Sequence, residues 1–418
     1  MTPSLLPRNI AALATETIDD TPVTVIAGAR QVGKSTLMRQ LLAGRDALVV
    51  NLDDSVDRAT ALADPDGFVR QYPAGTLAID EVQREPGLLI AIKAALEVDR
   101  RPGRFLVTGS ADLLGLRGAQ ESLAGRAQTI QLGGFTQGEL RGMQDDFVRF
   151  AWRLPSEGRL ADREGWSRRE YLDIATTSSY PEIARSNVRA QARWPRNYVS
   201  RILSKDVPEA MGVVYKDRLE PLLTAIAASN ATEFVPARKA RELDLPVRSI
   251  PSYLQALKDV YLINVLPAWG VNLAARAVSR KKVSLADTGL AVYLAGVDAD
   301  GLERDVSSSI TGGIVEGFVL AELERQRAWS EIDYMLSHYR NASGYEVDVI
   351  VENRRREIVG IEVKATASLS GRSFRGLEHV RDLAGERFVA GIVLYTGTRA
   401  VRFSDRLWAL PLSYLWEH

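Results

Sequence analysis

The stretch that decides the fold reads GARQVGKST and occupies residues 28–36. It matches the pattern G-x-x-x-x-G-K-[ST] at every fixed position, which is typical of a phosphate-binding loop. A β-branched run at residues 23–28 precedes it and a helical pattern at residues 34–42 follows, so the motif has the strand–loop–helix context that it requires. The glycines allow a tight loop whose backbone N–H groups face phosphate oxygens, and the helix N-terminus adds a partial positive charge. The residues predicted to bind the nucleotide are Gly28, Ala29, Arg30, Gln31, Val32, Gly33, Lys34, Ser35 and Thr36.

Two residues of this loop and two carboxylates further along the chain indicate ATP hydrolysis. Lys34 is expected to reach the β- and γ-phosphates, and the Ser35 hydroxyl is expected to hold Mg²⁺. An apolar strand pattern at residues 75–80 ends in Asp80, which is predicted to hold Mg²⁺ through water. The adjacent Glu81 is predicted to orient and deprotonate the attacking water. The alternative is a solvated acidic pair that follows an edge strand.

Another strand pattern, at residues 104–109, also ends in polar side chains. A hydroxyl at this point is expected to sense the γ-phosphate or to fix the attacking water. Thr108 and Ser110 are both candidates, and Ser110 is favoured. The alternative is that they cap the next helix.

Strand and helix patterns alternate along the first third of the chain, which predicts an α/β fold with a parallel, doubly wound sheet. We expect an ATPase core at residues 1–140, a helical lid or linker region at 141–220, a compact middle domain at 221–285 and a second α/β domain at 286–418. The five strands of the core are expected at residues 23–28, 47–52, 75–80, 104–109 and 127–132.

Composition narrows the chemistry. The 418 residues include no cysteine and only three histidines, which excludes disulfides and cysteine-based metal sites and leaves any metal to carboxylates and carbonyls, as suits Mg²⁺ or Mn²⁺. Basic and acidic residues balance at 53 each, which argues against a protein that coats nucleic acid with its whole surface. No apolar run is long enough to span a bilayer, and residues 1–10 lack the pattern of a signal peptide, so a cytoplasmic location without membrane contact is expected.

The motifs at residues 28–35, 80–83, 108–110 and 123–126 occur in an order that resembles the AAA-type ATPases of bacteria and archaea with a C-terminal domain of poorly known function. In AAA-type ATPases an arginine before the last core strand can act in trans on a neighbour's γ-phosphate. Arg126 lies at the matching place, and Arg117 is the lesser candidate. The resemblance therefore implies a homo-oligomer. The alternative for Arg126 is an ordinary surface arginine.

The middle domain shows two short helical patterns, at residues 236–243 and 247–260, with a break at 244–246 and an extended run at 261–268. This order is typical of a winged helix-turn-helix. Double-stranded DNA is the expected partner, and the alternative is a structural or oligomer-contact domain. The basic residues predicted to contact DNA are Arg238, Lys239, Arg241, Arg248, Arg276, Arg280, Lys281 and Lys282.

Charged and apolar residues alternate in two strand patterns of the last domain, at residues 346–351 and 361–364. Residues two apart in a strand share a face, so Glu346 is expected beside Asp348, and Glu362 beside Lys364. Pairing of the two strands would gather carboxylates that bind Mg²⁺ or Mn²⁺ and a lysine that stabilises negative charge, as metal-dependent phosphodiester cleavage requires. The alternative is an alternating surface strand with an ion pair.

This pattern resembles the PD-(D/E)xK nuclease-like fold, also called restriction-endonuclease-like. The resemblance implies that Asp348, Glu362 and Lys364 are catalytic and that Glu316, from the first helix of the domain, joins Asp348 and Glu362 as a metal ligand. The fold also occurs as an inactive binding domain. Ser284 departs from the aromatic residue that the family resemblance leads us to expect before residues 287–290.

The favoured hypothesis is a Mg²⁺-dependent AAA-type ATPase that acts on DNA, in which nucleotide state controls the C-terminal site. The predicted catalytic residues are Lys34, Glu81, Ser110, Arg126, Asp348, Glu362 and Lys364. The alternative is a nucleotide-switched regulatory or scaffold protein whose C-terminal domain is an inactive protein-binding module.

Overall fold

Five short β-branched runs in the first third of the chain form a parallel sheet in the order β2-β3-β4-β1-β5. The structure is a computed structural model, and it describes residues 5–110, 123, 125–158, 160–163, 165–208, 216–272, 276, 279–305 and 308–418. The strands of this sheet are β1 (Val23–Ala27), β2 (Ala47–Asn51), β3 (Thr76–Asp80), β4 (Phe105–Gly109) and β5 (Ala127–Gln131). The helices around it are α1 (Ala11–Asp20), α2 (Lys34–Leu41), α3 (Ser55–Ala63), α4 (Pro65–Arg70) and α5 (Leu88–Leu96).

Both faces of this sheet are covered. Alternate residues of a strand point to opposite faces. Ile26 and Leu106 accordingly pack with helices α1 and α2, whereas Val25 and Val107 pack with helices α3 to α5. The parallel α/β core predicted from the sequence is confirmed, with strand bounds that differ by one residue at an end.

Helices make up the regular structure in the described part of residues 137–228, which agrees with the helical region predicted at 141–220. They are α6 (Gln137–Arg141), α7 (Phe147–Arg153), α8 (Arg168–Thr176), α9 (Val188–Arg201) and α10 (Lys216–Ala228). Helix α9 continues into a π-helical turn, Ile202–Asp206, which shifts the side chains that follow by a fraction of a turn.

The middle domain consists of small helices and an antiparallel sheet of three strands in the order β6-β8-β7. Its elements after helix α10 are β6 (Thr232–Glu233), α11 (Pro236–Glu242), α12 (Ile250–Asp259), β7 (Ile263–Leu266) and β8 (Lys282–Leu285). Two short helices with a sheet hairpin behind them are the elements that the winged-helix prediction requires, and the winged-helix assignment itself stays a prediction. Ser284 is fully buried in β8.

The last domain contains a mixed sheet of six strands in the order β13-β14-β12-β11-β10-β9. Its strands are β9 (Tyr334–Arg340), β10 (Glu346–Asn353), β11 (Ile358–Lys364), β12 (Phe388–Tyr395), β13 (Val401–Ser404) and β14 (Leu407–Pro411). Its helices are α13 (Thr288–Ala295), α14 (Ala299–Arg304), α15 (Ser309–Gln326) and α16 (Arg375–Ala384). The mixed α/β domain is confirmed, whereas strands β9, β13 and β14 were not predicted.

Helix α15 connects the last domain to the ATPase core. Its Glu322 accepts a hydrogen bond from the backbone N–H of Gln137 at 3.0 Å, and Gln326 accepts one from the backbone N–H of Phe147 at 2.9 Å. One continuous hydrophobic core extends from Ile10 to Trp416 through all four predicted domains. The domain boundaries stay predictions, and the parts that they separate pack as one body. In the described part of the chain, no helix has the length and apolar character needed to cross a membrane.

Candidate functional site

The phosphate loop follows β1 and places two residues in the left-handed region of backbone space. Gln31 has a φ of 64° and Gly33 a φ of 97°, and helix α2 begins directly afterwards at Lys34. Gly28 has no room for a side chain, because a Cβ there would lie 2.1 Å from the carbonyl oxygen of Leu132. The loop therefore turns tightly between β1 and α2, which leaves its backbone N–H groups available to an anion.

Lys34 is buried, with 4% of its surface exposed, and its ammonium lies inside the loop. Its Nζ donates hydrogen bonds to the backbone carbonyls of Gly28 at 3.1 Å and Ala29 at 3.0 Å. Burial lowers the pKa of this ammonium from its usual value, and the charges of Glu81 and Asp80 oppose the shift only in part. A phosphate oxygen would replace the loop carbonyls as a stronger partner.

Asp80 and Glu81 lie at the carboxyl end of β3, where hydroxyl groups from β4 hold them. Thr108 donates a hydrogen bond from its Oγ1 to Asp80 Oδ1 and accepts one from the backbone N–H of Glu81 at 3.1 Å. Glu81 is a non-glycine residue with a φ of 59°, a strained conformation that is common at functional sites. The end of β3 is thus fixed by β4 next to it.

Gln83 is a residue of this site to which the sequence analysis gave no role. Its side-chain amide donates hydrogen bonds to the Glu81 carboxylate and to Ser110 Oγ, the latter at 2.9 Å. Ser110 Oγ lies 3.4 Å from Glu81 Oε2. Ser110 therefore lies near the proposed base, and Gln83 restricts the orientation of the Glu81 carboxylate.

A cavity of about 440 Å³ lies between the phosphate loop and the helical region. The predicted residues Arg30, Gln31, Gly33, Lys34, Ser35, Thr36 and Glu81 line it, together with Pro181, Glu182 and Arg201 from the helical region. Tyr198 contacts the loop directly, since its hydroxyl donates to the backbone carbonyl of Arg30 at 3.1 Å. The Arg30 side chain forms an ion pair with Asp206 at 2.8 Å. Sequence reasoning missed the helical contribution, because no local motif marks it.

These residues fit a nucleoside triphosphate with Mg²⁺. The cavity combines a buried ammonium, a helix N-terminus, a loop hydroxyl and the Glu81 carboxylate, and the buried Asp80 directly precedes Glu81 at the end of β3. Ser35 and Asp80 would hold Mg²⁺, and the loop would hold the phosphates.

Arg126 lies at the amino ends of the parallel strands, whereas the phosphate loop of its own chain lies at their carboxyl ends. It directly precedes β5, which runs parallel to β1 with Ala127 beside Val23, whereas the loop follows the other end of β1. Its guanidinium forms an ion pair with Glu97 at 2.5 Å. It therefore cannot reach its own nucleotide, although its trans role stays a prediction. Arg117 lies outside the described residues.

The predicted carboxylates of the last domain lie together, and a lysine from the middle domain lies among them. The Lys282 ammonium is 2.6 Å from Glu316, 3.1 Å from Glu346 and 3.2 Å from Asp348. Asp348 also accepts a hydrogen bond from the backbone N–H of Val363 at 2.9 Å. The predicted carboxylates therefore lie close together, and the ammonium of Lys282 lies between them.

Glu362 and Lys364 lie next to this cluster and form an ion pair with each other, with 2.6 Å between Lys364 Nζ and Glu362 Oε1. Burial and the charge of Asp348 raise the pKa of Glu362 to about 8. Burial opposes ionisation of Asp348, but the charges of Lys282 and Lys364 lower its pKa below the usual value. Although burial lowers the pKa of Lys282, the charges of Asp348, Glu316 and Glu346 raise it above its usual value.

Three of the residues predicted to contact DNA form buried or partly buried ion pairs within the chain instead. Lys282 is buried in the acidic cluster, with 2% of its surface exposed. Arg276 forms an ion pair with the buried Glu352 at 2.5 Å, and Lys239 is buried and pairs with Glu242 at 3.1 Å. The prediction is wrong for these three. Tertiary packing brings carboxylates to Lys282 and Arg276, whereas Lys239 is buried and pairs with a carboxylate three residues later in its own helix. The predicted residues that are exposed are Arg238, Arg241, Arg248, Arg280 and Lys281.

A divalent metal does not fit the acidic cluster as it stands. The Lys282 ammonium occupies the space that the carboxylates of Glu316, Glu346 and Asp348 share. In the described residues, no group of three or more Asp, Glu or His side chains has an arrangement that could hold a metal ion.

Comparisons with known proteins agree with the nucleotide site. Residues 20–141 match the family model described as an AAA domain, and residues 168–301 and 311–415 match two domains of unknown function, DUF8612 and DUF4143. Among solved structures, the Walker-type ATPase PABY2304 of Pyrococcus abyssi is 16% identical with a TM-score of 0.43, and the match covers 70% of this chain and 97% of that one. That TM-score is too low to establish a common overall fold.

Two curated relatives match almost the whole chain. The uncharacterized proteins Rv2008c of Mycobacterium tuberculosis and Mb2031c of Mycobacterium bovis are each 30% identical over 407 residues, which is 97% of this chain and 83% of each relative. This chain therefore belongs to the same family as these mycobacterial proteins, and its N-terminal part is an AAA-type P-loop ATPase domain.

Proposed function

We propose that this protein binds and hydrolyses ATP with Mg²⁺ at the phosphate loop. One observation carries the proposal: the buried Lys34 ammonium, the Ser35 hydroxyl and the Glu81 carboxylate border one cavity. The Mg²⁺ ion supplies positive charge to the phosphates when it is bound. The residue types match the parts that phosphoryl transfer to water needs, namely a phosphate cradle, a metal-holding hydroxyl and a carboxylate base.

The side chains divide this work between them. Lys34 leaves its two loop carbonyls and neutralises phosphate charge. Thr108 fixes the Asp80 carboxylate by a hydrogen bond, and Gln83 orients the Glu81 carboxylate by another. Glu81 then accepts a proton from the attacking water as the water's oxygen bonds to the γ-phosphorus. The bond between the γ-phosphorus and the β,γ-bridging oxygen breaks in the same step, which releases ADP and inorganic phosphate. Geometry of this kind lowers the barrier because the reacting groups are already in position.

Two substitutions test this proposal. Lys34→Ala is expected to abolish ATP binding, because no other ammonium lines the cavity in the described residues. Glu81→Gln is expected to retain ATP binding and to lower kcat by about 10²-fold or more, as loss of a general base does. Binding is measured with a fluorescent ATP analogue and turnover by phosphate release.

Lys258→Ala is the matched control, because Lys258 is exposed on helix α12, outside the cavity. It should leave binding and turnover unchanged. Unchanged hydrolysis in both Lys34→Ala and Glu81→Gln would refute an ATPase site at this loop.

We further propose that ATP hydrolysis is coupled to double-stranded DNA through the middle domain. The support is the set of basic side chains still exposed around helices α11 and α12, in particular Arg241 and Arg248. Exposed arginines bind the phosphate backbone without sequence preference, and salt weakens such binding steeply.

Duplex DNA should therefore stimulate ATP hydrolysis at low salt, and the stimulation should decline as salt is raised from about 50 to 200 mM. The double variant Arg241→Ala, Arg248→Ala should lose much of the stimulation and keep the rate without DNA. DNA that fails to alter hydrolysis at any salt concentration would argue against this coupling.

The second candidate function is a nucleotide-switched scaffold whose last domain binds a protein. The position of Lys282 favours it, because the ammonium neutralises the carboxylates on which a metal-dependent nuclease would depend. Slow hydrolysis that DNA does not change would support this candidate. Nuclease activity at Asp348, Glu362 and Lys364 stays a prediction, as do the homo-oligomer and the cytoplasmic location.

A further inference from the structure

Three separate parts of the chain meet at the Lys282 ammonium. Lys282 is the first residue of strand β8 in the middle domain, Glu316 lies in helix α15, and Glu346 and Asp348 lie in strand β10. All three carboxylates are within 3.2 Å of the lysine Nζ, and the lysine side chain is 2% exposed. The ammonium donates hydrogen bonds to Glu316 and Asp348, and Glu346 is a third ion-pair partner at 3.1 Å.

Strand geometry explains why this lysine, and not its neighbour, enters the cluster. Adjacent residues of a strand point to opposite faces. Lys282 points towards the last domain, whereas Lys281 is exposed. Of the two adjacent lysines, Lys282 therefore has a buried ammonium and Lys281 an exposed one.

A divalent cation and this ammonium would compete for the same oxygens. Mg²⁺ and Mn²⁺ bind carboxylate oxygens at about 2.0–2.2 Å and need several of them around one point. That point is taken by Lys282 Nζ, and the second oxygen of Asp348 already accepts the Val363 N–H at 2.9 Å. In the remaining carboxylate, Glu362, one oxygen pairs with Lys364 at 2.6 Å and the other is buried without a hydrogen-bond partner. A metal would therefore find a single free oxygen there rather than the several that it needs. The two positive charges would also repel each other at short range.

We propose that Lys282 is the resident cation of the acidic cluster. It replaces a divalent metal there and clamps the middle domain to the last domain. The cluster is then an ion-pair joint between domains that excludes metal as long as Lys282 occupies it. This proposal is independent of ATP hydrolysis and of DNA binding, so it stands or fails separately from them.

Three single variants test the clamp by thermal unfolding without nucleotide, each with and without Mn²⁺. Lys282→Ala removes the ammonium and leaves space, so the buried Asp348 and the largely buried Glu316 lose their nearest counter-ion. The partly exposed Glu346 keeps Arg340 at 3.4 Å. Tm should fall by roughly 5 °C or more. Mn²⁺ should restore much of this loss by entering the space. Lys282→Met removes the charge but fills the space, so Tm should fall and Mn²⁺ should restore little. Lys281→Ala should change neither Tm nor the response to Mn²⁺.

Mn²⁺ binding to the unsubstituted protein, measured by electron paramagnetic resonance without nucleotide, decides the proposal even where Lys282→Ala fails to fold. The cluster should bind no Mn²⁺, so Asp348→Asn should leave the amount bound unchanged. Mn²⁺ that is bound by the unsubstituted protein and by Asp80→Asn, but is lost in Asp348→Asn, would overturn the proposal. An unchanged Tm in Lys282→Ala would overturn it as well.

Discussion

Thr108 shows how one buried hydroxyl organises the hydrolytic end of the nucleotide site. It is fully buried, donates to Asp80 and accepts from the backbone N–H of Glu81. Ser110, the residue that the sequence favours as the polar group next to the nucleotide, lies beside Gln83 and Glu81. Since its contacts are with Asp80 and Glu81, we expect Thr108 to act as a positioning residue in the proposed hydrolysis.

The substitution Thr108→Val keeps the shape of the side chain and removes both hydrogen bonds. We expect kcat for ATP hydrolysis to fall about 10- to 100-fold, because the two carboxylates lose their fixed positions. The dissociation constant for ATP should change little, since the phosphate loop is intact. Equal losses in kcat and affinity, without a fall in Tm, would contradict a positioning role.

Lys282 is a residue whose neighbours in sequence predict the wrong environment, because they indicate contact with DNA and the side chain is buried. The run Arg280-Lys281-Lys282 has no acidic residue nearby in sequence, and a basic run of this kind indicates a surface for nucleic acid. Its partners Glu316, Glu346 and Asp348 follow 34 to 66 residues later. Only folding brings them within reach.

Helix α15 is the element on which the contacts between domains converge. Gly313 and Gly317 of this helix lie against Asn230 of the middle domain, whose side-chain amide donates to the backbone carbonyl of Gly313 at 2.9 Å. Near its other end, burial raises the pKa of Glu322 to about 7, although the charge of Arg325 opposes this shift. The helix is buried nearly all round, as expected of an element between two domains.

Two adjacent glycines of helix α15 give a matched test of this packing. A Cβ on Gly313 would lie 2.5 Å from the backbone oxygen of Asn230, whereas one on Gly312 would meet no atom within 4 Å. We expect Gly313→Ala to destabilise the protein by about 1–3 kcal/mol through overpacking. Gly312→Ala should be neutral or stabilise by up to about 1 kcal/mol, because alanine loses less backbone entropy in a helix.

Urea unfolding followed by circular dichroism measures both variants. Equal stability of Gly312→Ala and Gly313→Ala would show that the approach of helix α15 to Asn230 is not tight in solution.

At the scale of the whole molecule, the sheet places Arg126 and the phosphate loop at opposite ends of its parallel strands. An arginine that helps hydrolysis from there must act on a second copy of the chain, as the prediction of a homo-oligomer requires. Arginine fingers of this kind raise the rate by about 10³–10⁵-fold. Arg126→Ala should then be nearly inactive and still bind ATP.

Mixing two inactive variants tests action in trans. A mixture of Arg126→Ala and Lys34→Ala should recover ATP hydrolysis, because the intact loop of one copy meets the intact arginine of the other. A mixture of Lys34→Ala and Glu81→Gln should recover none, because both changes disable the same side of the shared site. Activity in Arg126→Ala alone would show that this residue is an ordinary surface arginine paired with Glu97.

The sequence by itself determined the parts of this protein whose information is local. The phosphate loop, the strand that ends in Asp80 and Glu81, and the alternating strands of the last domain each depend on residues a few positions apart, where backbone geometry and side-chain period leave few choices. Only the tertiary structure decided the partners of charged residues. It placed Lys282 among the carboxylates of the last domain, Arg276 on Glu352 and Arg201 at the nucleotide cavity. The physical reason is that the energy of a charge depends on its burial and on its neighbours in space, and neither can be read from the residues beside it in the chain.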